Sequence, residues 1–189
     1  MRKCVFFGVT ILGALTLLVP SQGSAQVGVF LGAGGTFPAG DYGEYAVVGW
    51  MMEGGVSYPL NDQGLSLFGE GLFGSNGDGG DLGIDGNKTD LLGALGGVEF
   101  NLSPEADAGL FVFAEVGMLK CDVSFELDPQ NNYSESALAF GGGAGYNFPV
   151  LGLNGWILGR YLQGQFDSGD GRIAFFGVSA GLSFPLGSS

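Results

Sequence analysis

Gly177-Val-Ser-Ala-Gly-Leu-Ser-Phe184 alternates between small or polar residues and apolar ones. Successive side chains of a β-strand point to opposite faces, so this stretch predicts a strand with one apolar and one polar face. Ala137–Phe148 repeats the pattern, with Leu138 and Phe140 on one parity and alanine or glycine on the other. Glycine makes up 39 of the 189 residues, which is too many for stable helices. The sequence therefore predicts an all-β chain.

Eight segments of nine to fifteen residues carry this alternation. A tilted strand that crosses a bilayer needs about 9–11 residues, whereas strands of globular proteins are most often about 5–6 residues long. The lengths and the even number predict an eight-stranded antiparallel transmembrane up-and-down β-barrel. The predicted strands are Val27–Phe37, Val47–Tyr58, Leu65–Phe73, Leu91–Leu102, Gly109–Val123, Ala137–Phe148, Gly155–Phe166 and Ile173–Phe184.

The alternation also assigns the faces of the strands. One face is apolar and ends in aromatic residues, as expected for a lipid-facing band with aromatic girdles. The opposite face is predominantly Gly, Ser, Asn and Glu, which predicts an interior that is not a dry apolar core. In the seventh strand both parities carry large apolar residues, so its facing stays open. The predicted girdle and lipid-facing residues are Trp50, Tyr58, Phe100, Tyr146, Phe148, Phe176 and Phe184.

The connections between the strands alternate in character. Short turns with Pro, Asn and Asp follow the second, fourth and sixth strands, and the other four connections tend to be longer and acidic. Outer-membrane barrels have short periplasmic turns and longer outer loops. The pattern predicts that both ends of the barrel chain lie on the periplasmic side.

Residues 1–25 have the features of a secretory signal peptide. Two basic residues at positions 2 and 3 precede an almost uncharged apolar run of 15 residues, and small residues then lead up to Ala25. A retained membrane helix is the weaker alternative, because spanning a bilayer takes about 20 apolar residues. We expect Sec-type export with cleavage near Ala25 and Gln26, which leaves residues 26–189 as one barrel domain.

The charge balance excludes several classes of function. The chain has 19 acidic and 6 basic residues, no histidine and a formal net charge of −13. Nucleic-acid binding is not expected, because a protein neutralises phosphates with Lys and Arg. Histidine is the commonest general base and metal ligand, so we expect neither an enzyme nor a cofactor.

The chain resembles the small outer-membrane β-barrel superfamily typified by the transmembrane domain of OmpA and by OmpX, over nearly all of residues 26–189. The resemblance implies a monomer in the bacterial outer membrane that contacts lipid and lipopolysaccharide and is inserted by the barrel-assembly machinery. Such proteins usually end on an aromatic residue, whereas here Phe184 is followed by five more residues. The segments that carry the resemblance are 27–35, 55–60, 67–70, 159–161 and 177–184.

Four acidic residues have the inward parity: Glu53, Glu70, Glu99 and Glu115. Arg160 is the basic residue that we expect to pair with them. The resemblance implies that they form an ion-pair network that fills the lumen, since eight strands leave little more than room for side chains. The alternative is a narrow cation-preferring path, because the acids outnumber the base. A glycosidase pair is not favoured, since no separation between two carboxylates is fixed.

The connection between the third and fourth strands concentrates aspartates among glycines. Asp78, Asp81, Asp85 and Asp90 supply the oxygen ligands that hard cations prefer, but their spacing fails the EF-hand pattern. A solvated loop is the favoured interpretation, with weak Ca²⁺ or Mg²⁺ binding as the alternative.

The sequence thus predicts a non-enzymatic envelope protein that acts structurally or through its acidic outer loops. A small cation-preferring pore is the first alternative. A soluble periplasmic barrel resembling a lipocalin is the second, and it requires an apolar interior and a polar exterior.

Overall fold

The computed structural model describes residues 27–77, 87–104, 106, 108–126, 129–166 and 171–186. The predicted signal peptide and three of the four loop aspartates (Asp78, Asp81 and Asp85) lie outside these residues. No helix among the described residues is long and apolar enough to cross a membrane.

Eight strands form one closed antiparallel barrel in sequence order, and the last strand pairs with the first. This confirms the predicted fold class. The strands are β1 (Val27–Pro38), β2 (Gly49–Pro59), β3 (Leu65–Gly77), β4 (Lys88–Asn101), β5 (Gly109–Ser124), β6 (Tyr133–Val150), β7 (Leu153–Phe166) and β8 (Arg172–Leu186). Short 3₁₀ helices occupy Gly40–Glu44 and Pro129–Asn131.

The strands differ from their predicted bounds by a few residues. β3 and β4 continue beyond the predicted strand ends to the pair Gly77 and Lys88, and β6 begins four residues earlier than predicted, at Tyr133. Polar residues there remain in the ladder because the partner strand satisfies their backbone groups. The predicted long loops after β3 and β5 are therefore shorter than expected. β2 begins two residues later than predicted, at Gly49.

The turn between β6 and β7 contains only two residues between the strands, Leu151 and Gly152. Both have positive φ, 50° and 83°, as a two-residue hairpin with the right-handed strand twist requires. The sequence predicted a longer turn because Pro149 and Asn154 look like turn residues. Pro149 and Asn154 instead pair with each other in the ladder, which continues for one more pair, Val150 and Leu153.

We call the end that carries the connections β1–β2, β3–β4, β5–β6 and β7–β8 the loop end. The turn end carries the other three connections and also the start of β1 and the end of β8. Both ends of the barrel chain are thus on one side, as the alternating connections predicted.

The outward face of the barrel is apolar. Exposed side chains include Leu31 at 61%, Val116 at 56% and Val178 at 49%. A soluble barrel would place such residues in its interior, so this face has the composition that lipid requires and a lipocalin-like barrel lacks.

The interior is not uniformly polar, which corrects the prediction from the alternation. Ten buried residues form an apolar layer across the loop half of the barrel. On β2, β3, β5 and β7 these residues lie nearer the loop end than the charged residue of the same strand. The apolar layer consists of Met51, Leu72, Leu91, Leu95, Leu119, Cys121, Ala139, Leu162, Ile173 and Phe175.

Candidate functional site: a charge cluster above a turn-end cavity

A charge cluster of Arg160, Glu53, Glu70 and Glu115 lies in the middle of the barrel. Arg160 Nη2 donates to Glu53, and Nη1 donates to Glu70 and, at 3.3 Å, to Glu115 Oε2. A second donation joins Nη2 to Glu70 Oε2 at 3.2 Å. The four side chains come from β7, β2, β3 and β5, so one guanidinium connects four strands. Arginine suits this role because its planar fork offers five donors.

Glycines make the room for Arg160. Its ladder partners on the two neighbouring strands are Gly143 and Gly177, which have no side chains that could compete for the space. A Cβ on Gly177 would lie 3.0 Å from Arg160 Cγ, and one on Gly143 would lie 2.9 Å from Arg160 Cα. The glycine-rich inward parity of β6 and β8 therefore positions the guanidinium.

The structure separates Glu99 from the other predicted network residues. It lies on β4 opposite Ser66 and Phe113, nearer the turn end than the charge cluster. Within the described part of the chain it has no ion-pair partner. The alternation predicted that Glu99 faces inward, but the height of a residue along the barrel depends on strand stagger, which parity does not reveal.

A cavity of about 440 Å³ extends from the charge cluster to the turn end. Aromatic residues line it, and Glu70 and Arg160 belong to its lining on the side of the charge cluster. The residues near its mouth are mostly small or polar, among them Ser57, Ser66, Asn147, Asn154 and Ser183. The inward aromatic residues are Phe30, Phe68, Phe111, Phe113 and Trp156.

Glycines also receive the large aromatic side chains of the cavity. The indole of Trp156 lies against Gly32 and Gly181, and Phe111 lies against Gly145. Trp156 is 4% exposed, and its Nε1 has no hydrogen-bond partner among the described residues. This packing settles the facing of β7, where Trp156, Leu158, Arg160 and Leu162 point inward and Ile157 and Tyr161 outward.

At the loop end, a polar latch above the apolar layer joins β3 to β1 and to the connection between β1 and β2. Asn76 Nδ2 donates to Thr36 Oγ1 at 2.8 Å and to the Val47 carbonyl at 2.9 Å, and both Asn76 and Thr36 are fully buried. Tyr42, in the first 3₁₀ helix, packs on the apolar layer, and burial raises the pKa of its phenol. The apolar layer, with Tyr42 and Phe166 packed against it, thus lies between the charge cluster and this end.

Of the four aspartates in the proposed cation loop, the structure describes Asp90. It accepts from Lys88 at 2.8 Å and from Ser75 Oγ at 2.7 Å, so local partners use both of its oxygens. No group of acidic or cysteine residues in the described ranges could hold a metal ion. Cys121 is buried in the apolar layer.

The predicted girdle residues lie on the outward face near both ends of the barrel. The ring centroids of Trp50 and Phe73 are 5.4 Å apart, and those of Phe176 and Tyr161 are 5.1 Å apart. Both pairs lie toward the loop end. Tyr146 and Phe148 stack at 6.5 Å near the turn end. Tyr58, Phe100 and Phe184 lie near the turn end as well, and Phe184 also borders the turn-end cavity. Such belts suit the two boundaries of a bilayer.

Sequence reasoning missed the inward apolar residues, above all Met51, Leu72 and Leu119. Their signal was present, because they share the parity of Glu53, Glu70 and Glu115 on the same strands. It was hidden because inward aliphatic residues are few per strand and are interspersed with glycine.

Comparison with solved structures shows which known proteins share this fold. Neisserial surface protein A matches with a TM-score of 0.66 at 12% identity, over 87% of this chain and 100% of that one. The fold is that of the small outer-membrane β-barrels. Ail of Yersinia pestis in a phospholipid bilayer nanodisc matches with a TM-score of 0.51 at 19% identity, over 85% of this chain and 100% of that one. Ail in complex with the heparin analogue sucrose octasulfate has the same TM-score at 16% identity, over 85% and 99% of the two chains.

No protein-family model matches this sequence, and no curated protein is similar to it. The sequence identities in the structural comparison are below 20%, so the comparison shows the shared fold alone. The function has to be argued from the site.

Proposed function

We propose that the protein is a non-conducting anchor in the bacterial outer membrane that presents acidic loops at the cell surface. The observation that carries the proposal is the apolar layer, whose buried residues come from seven of the eight strands and lie between the charge cluster and the loop end. Ions cross an apolar constriction only at a high free-energy cost. The outward apolar face and its aromatic belts support membrane insertion.

The loops are the part of such an anchor that is free to bind. Twelve of the 19 acidic residues lie in the four loop-end connections or the adjoining strand ends, together with three basic residues. Such a surface attracts cationic partners and repels polyanions. The Ail barrel that holds sucrose octasulfate, a polyanion, therefore differs from the binding expected here.

Conductance of the purified full-length barrel in planar bilayers separates the anchor from the cation-preferring pore. An anchor gives no steps above the lipid baseline. A cation-selective conductance whose selectivity disappears in the double variant Glu53→Gln, Glu70→Gln would establish the pore instead.

Binding of nanodisc-embedded barrel to polylysine and to heparin tests the acidic loops. We expect salt-sensitive binding to polylysine and none to heparin. Changing Asp78, Asp81 and Asp85 to Asn should weaken polylysine binding several-fold. The matched control changes Asp62, Glu105 and Asp107 to their amides, which alters the same charge in the short turns and should leave binding unchanged. Equal loss in both variants would contradict a role for the loops.

A further inference from the structure

The turn-end cavity has the volume of a ligand site. Its volume of about 440 Å³ lies within the range of about 300–1,000 Å³ that is usual for small-molecule pockets. Its mouth lies among the strand ends near the short turns, and the charge cluster limits it on the other side. A ligand would therefore enter from the side opposite the acidic loops.

The excess of negative charge around the cavity favours a cationic ligand. The interior has four glutamates and one arginine. Arg160 already donates to three of them, Glu53, Glu70 and Glu115. Glu99 lines the cavity without an ion-pair partner in the described ranges. A carboxylate removed from water is stabilised by an opposite charge. Both terminal nitrogens of Arg160 already donate to glutamates, so an anionic ligand would compete with three carboxylates for this cation.

The walls favour an organic cation over a metal ion. Aromatic faces attract ammonium groups. In this cavity the Cζ atom of Arg160 already lies 5.6 Å from the ring centroid of Phe113. No group of three or more acidic or cysteine residues that could hold a metal ion is found in the described ranges. Trp156, whose indole is buried in the same wall, adds another aromatic face to the lining.

We propose that the turn-end cavity binds a small organic ammonium ion, with Glu99 as its counter-charge and the aromatic walls around its alkyl groups. Choline is a suitable probe, and 3,3-dimethylbutan-1-ol is its neutral isostere. The full-length barrel is titrated with each by calorimetry in a non-ionic detergent. We expect saturable choline binding and at least about tenfold weaker binding of the isostere, since one tenfold step is about 1.4 kcal/mol.

Two variants of equal charge change locate the site. Glu99→Gln should weaken choline binding about tenfold or more, whereas Asp62→Asn, in an exposed turn, should leave it unchanged. Glu99→Asp keeps the charge and serves where Glu99→Gln does not fold, as judged by the mobility shift on boiling. In Glu99→Asp the preference for choline over its isostere should persist.

A fluorescence titration gives an independent readout. The chain has two tryptophans, so Trp50→Phe leaves Trp156 as the sole emitter. Its emission should change with choline and saturate at the calorimetric Kd. The proposal is overturned if choline does not bind saturably, if the isostere binds equally well, or if Glu99→Gln binds like the unaltered protein. Displacement of choline by equimolar Na⁺ would overturn it as well.

Discussion

Arg160 is the residue on which the interior most depends. Its guanidinium compensates three glutamates that are each less than 8% exposed. Arg160→Met leaves these carboxylates without a cation, and loss of one partner of a buried ion pair typically costs about 3–5 kcal/mol. We expect a correspondingly lower urea midpoint of unfolding in detergent micelles. Arg172→Met, which removes an exposed arginine at the loop end, should shift the midpoint little, and equal shifts would contradict the role of the charge cluster.

Two glycines near each other in the ladder test the space around that guanidinium. A Cβ on Gly143 would collide with the Gly159 carbonyl and crowd Arg160, whereas a Cβ on Gly159 meets nothing within 4 Å. Gly143→Ala should lower the free energy of unfolding by about 1–3 kcal/mol, as overpacking does. Gly159→Ala should leave it nearly unchanged. Urea titrations of both variants check the difference, which a wrong facing of these strands would reverse.

At the scale of the element, the facing of β5 can be tested by one charge. Val116 lies at the middle of β5 and is 56% exposed on the outward face. Val116→Lys should cost about 2–4 kcal/mol in a bilayer, because a charge at its midplane is poorly solvated. Ser134→Lys, which lies opposite Asp122 near the loop end, should cost much less. Folding titrations in lipid vesicles measure both, and an unaffected Val116→Lys barrel would contradict lipid contact.

The polar latch at the loop end is a second testable element. Asn76→Leu removes the hydrogen bonds to Thr36 and to the Val47 carbonyl, and an unpaired buried polar group costs about 1–3 kcal/mol. We expect faster hydrogen exchange in residues 39–48, with the strand amides of β5 and β6 still protected. Unchanged exchange in 39–48 would show that other contacts hold this connection.

The sequence predicts where the strands are better than it predicts the position of each residue along the barrel axis. Period-2 alternation located eight strands and the facing of most, because lipid imposes an apolar outward face. It left β7 unassigned, since Trp156 and Leu162 are large apolar residues that point inward. It also grouped Glu99 with the charge cluster, because parity reports the face of a strand and not the stagger between strands.

At the scale of the whole molecule, the barrel combines three interior regions in sequence from one end to the other. The polar latch and the apolar layer lie toward the loop end, the charge cluster joins four strands in the middle, and the turn-end cavity lies on the far side. A closed ladder has no free edge, so backbone groups are satisfied within the bilayer. This asymmetry is the basis on which we propose surface binding at one end and a small-molecule site at the other.

Electrophoresis of the outer-membrane fraction in SDS, with and without boiling, tests most directly whether this chain is a closed membrane barrel. A barrel with a complete ladder and a lipid-facing apolar band resists SDS until it is heated, so the unboiled and boiled samples should migrate differently. Recovery of the protein in the soluble periplasm, with one mobility before and after boiling, would contradict it.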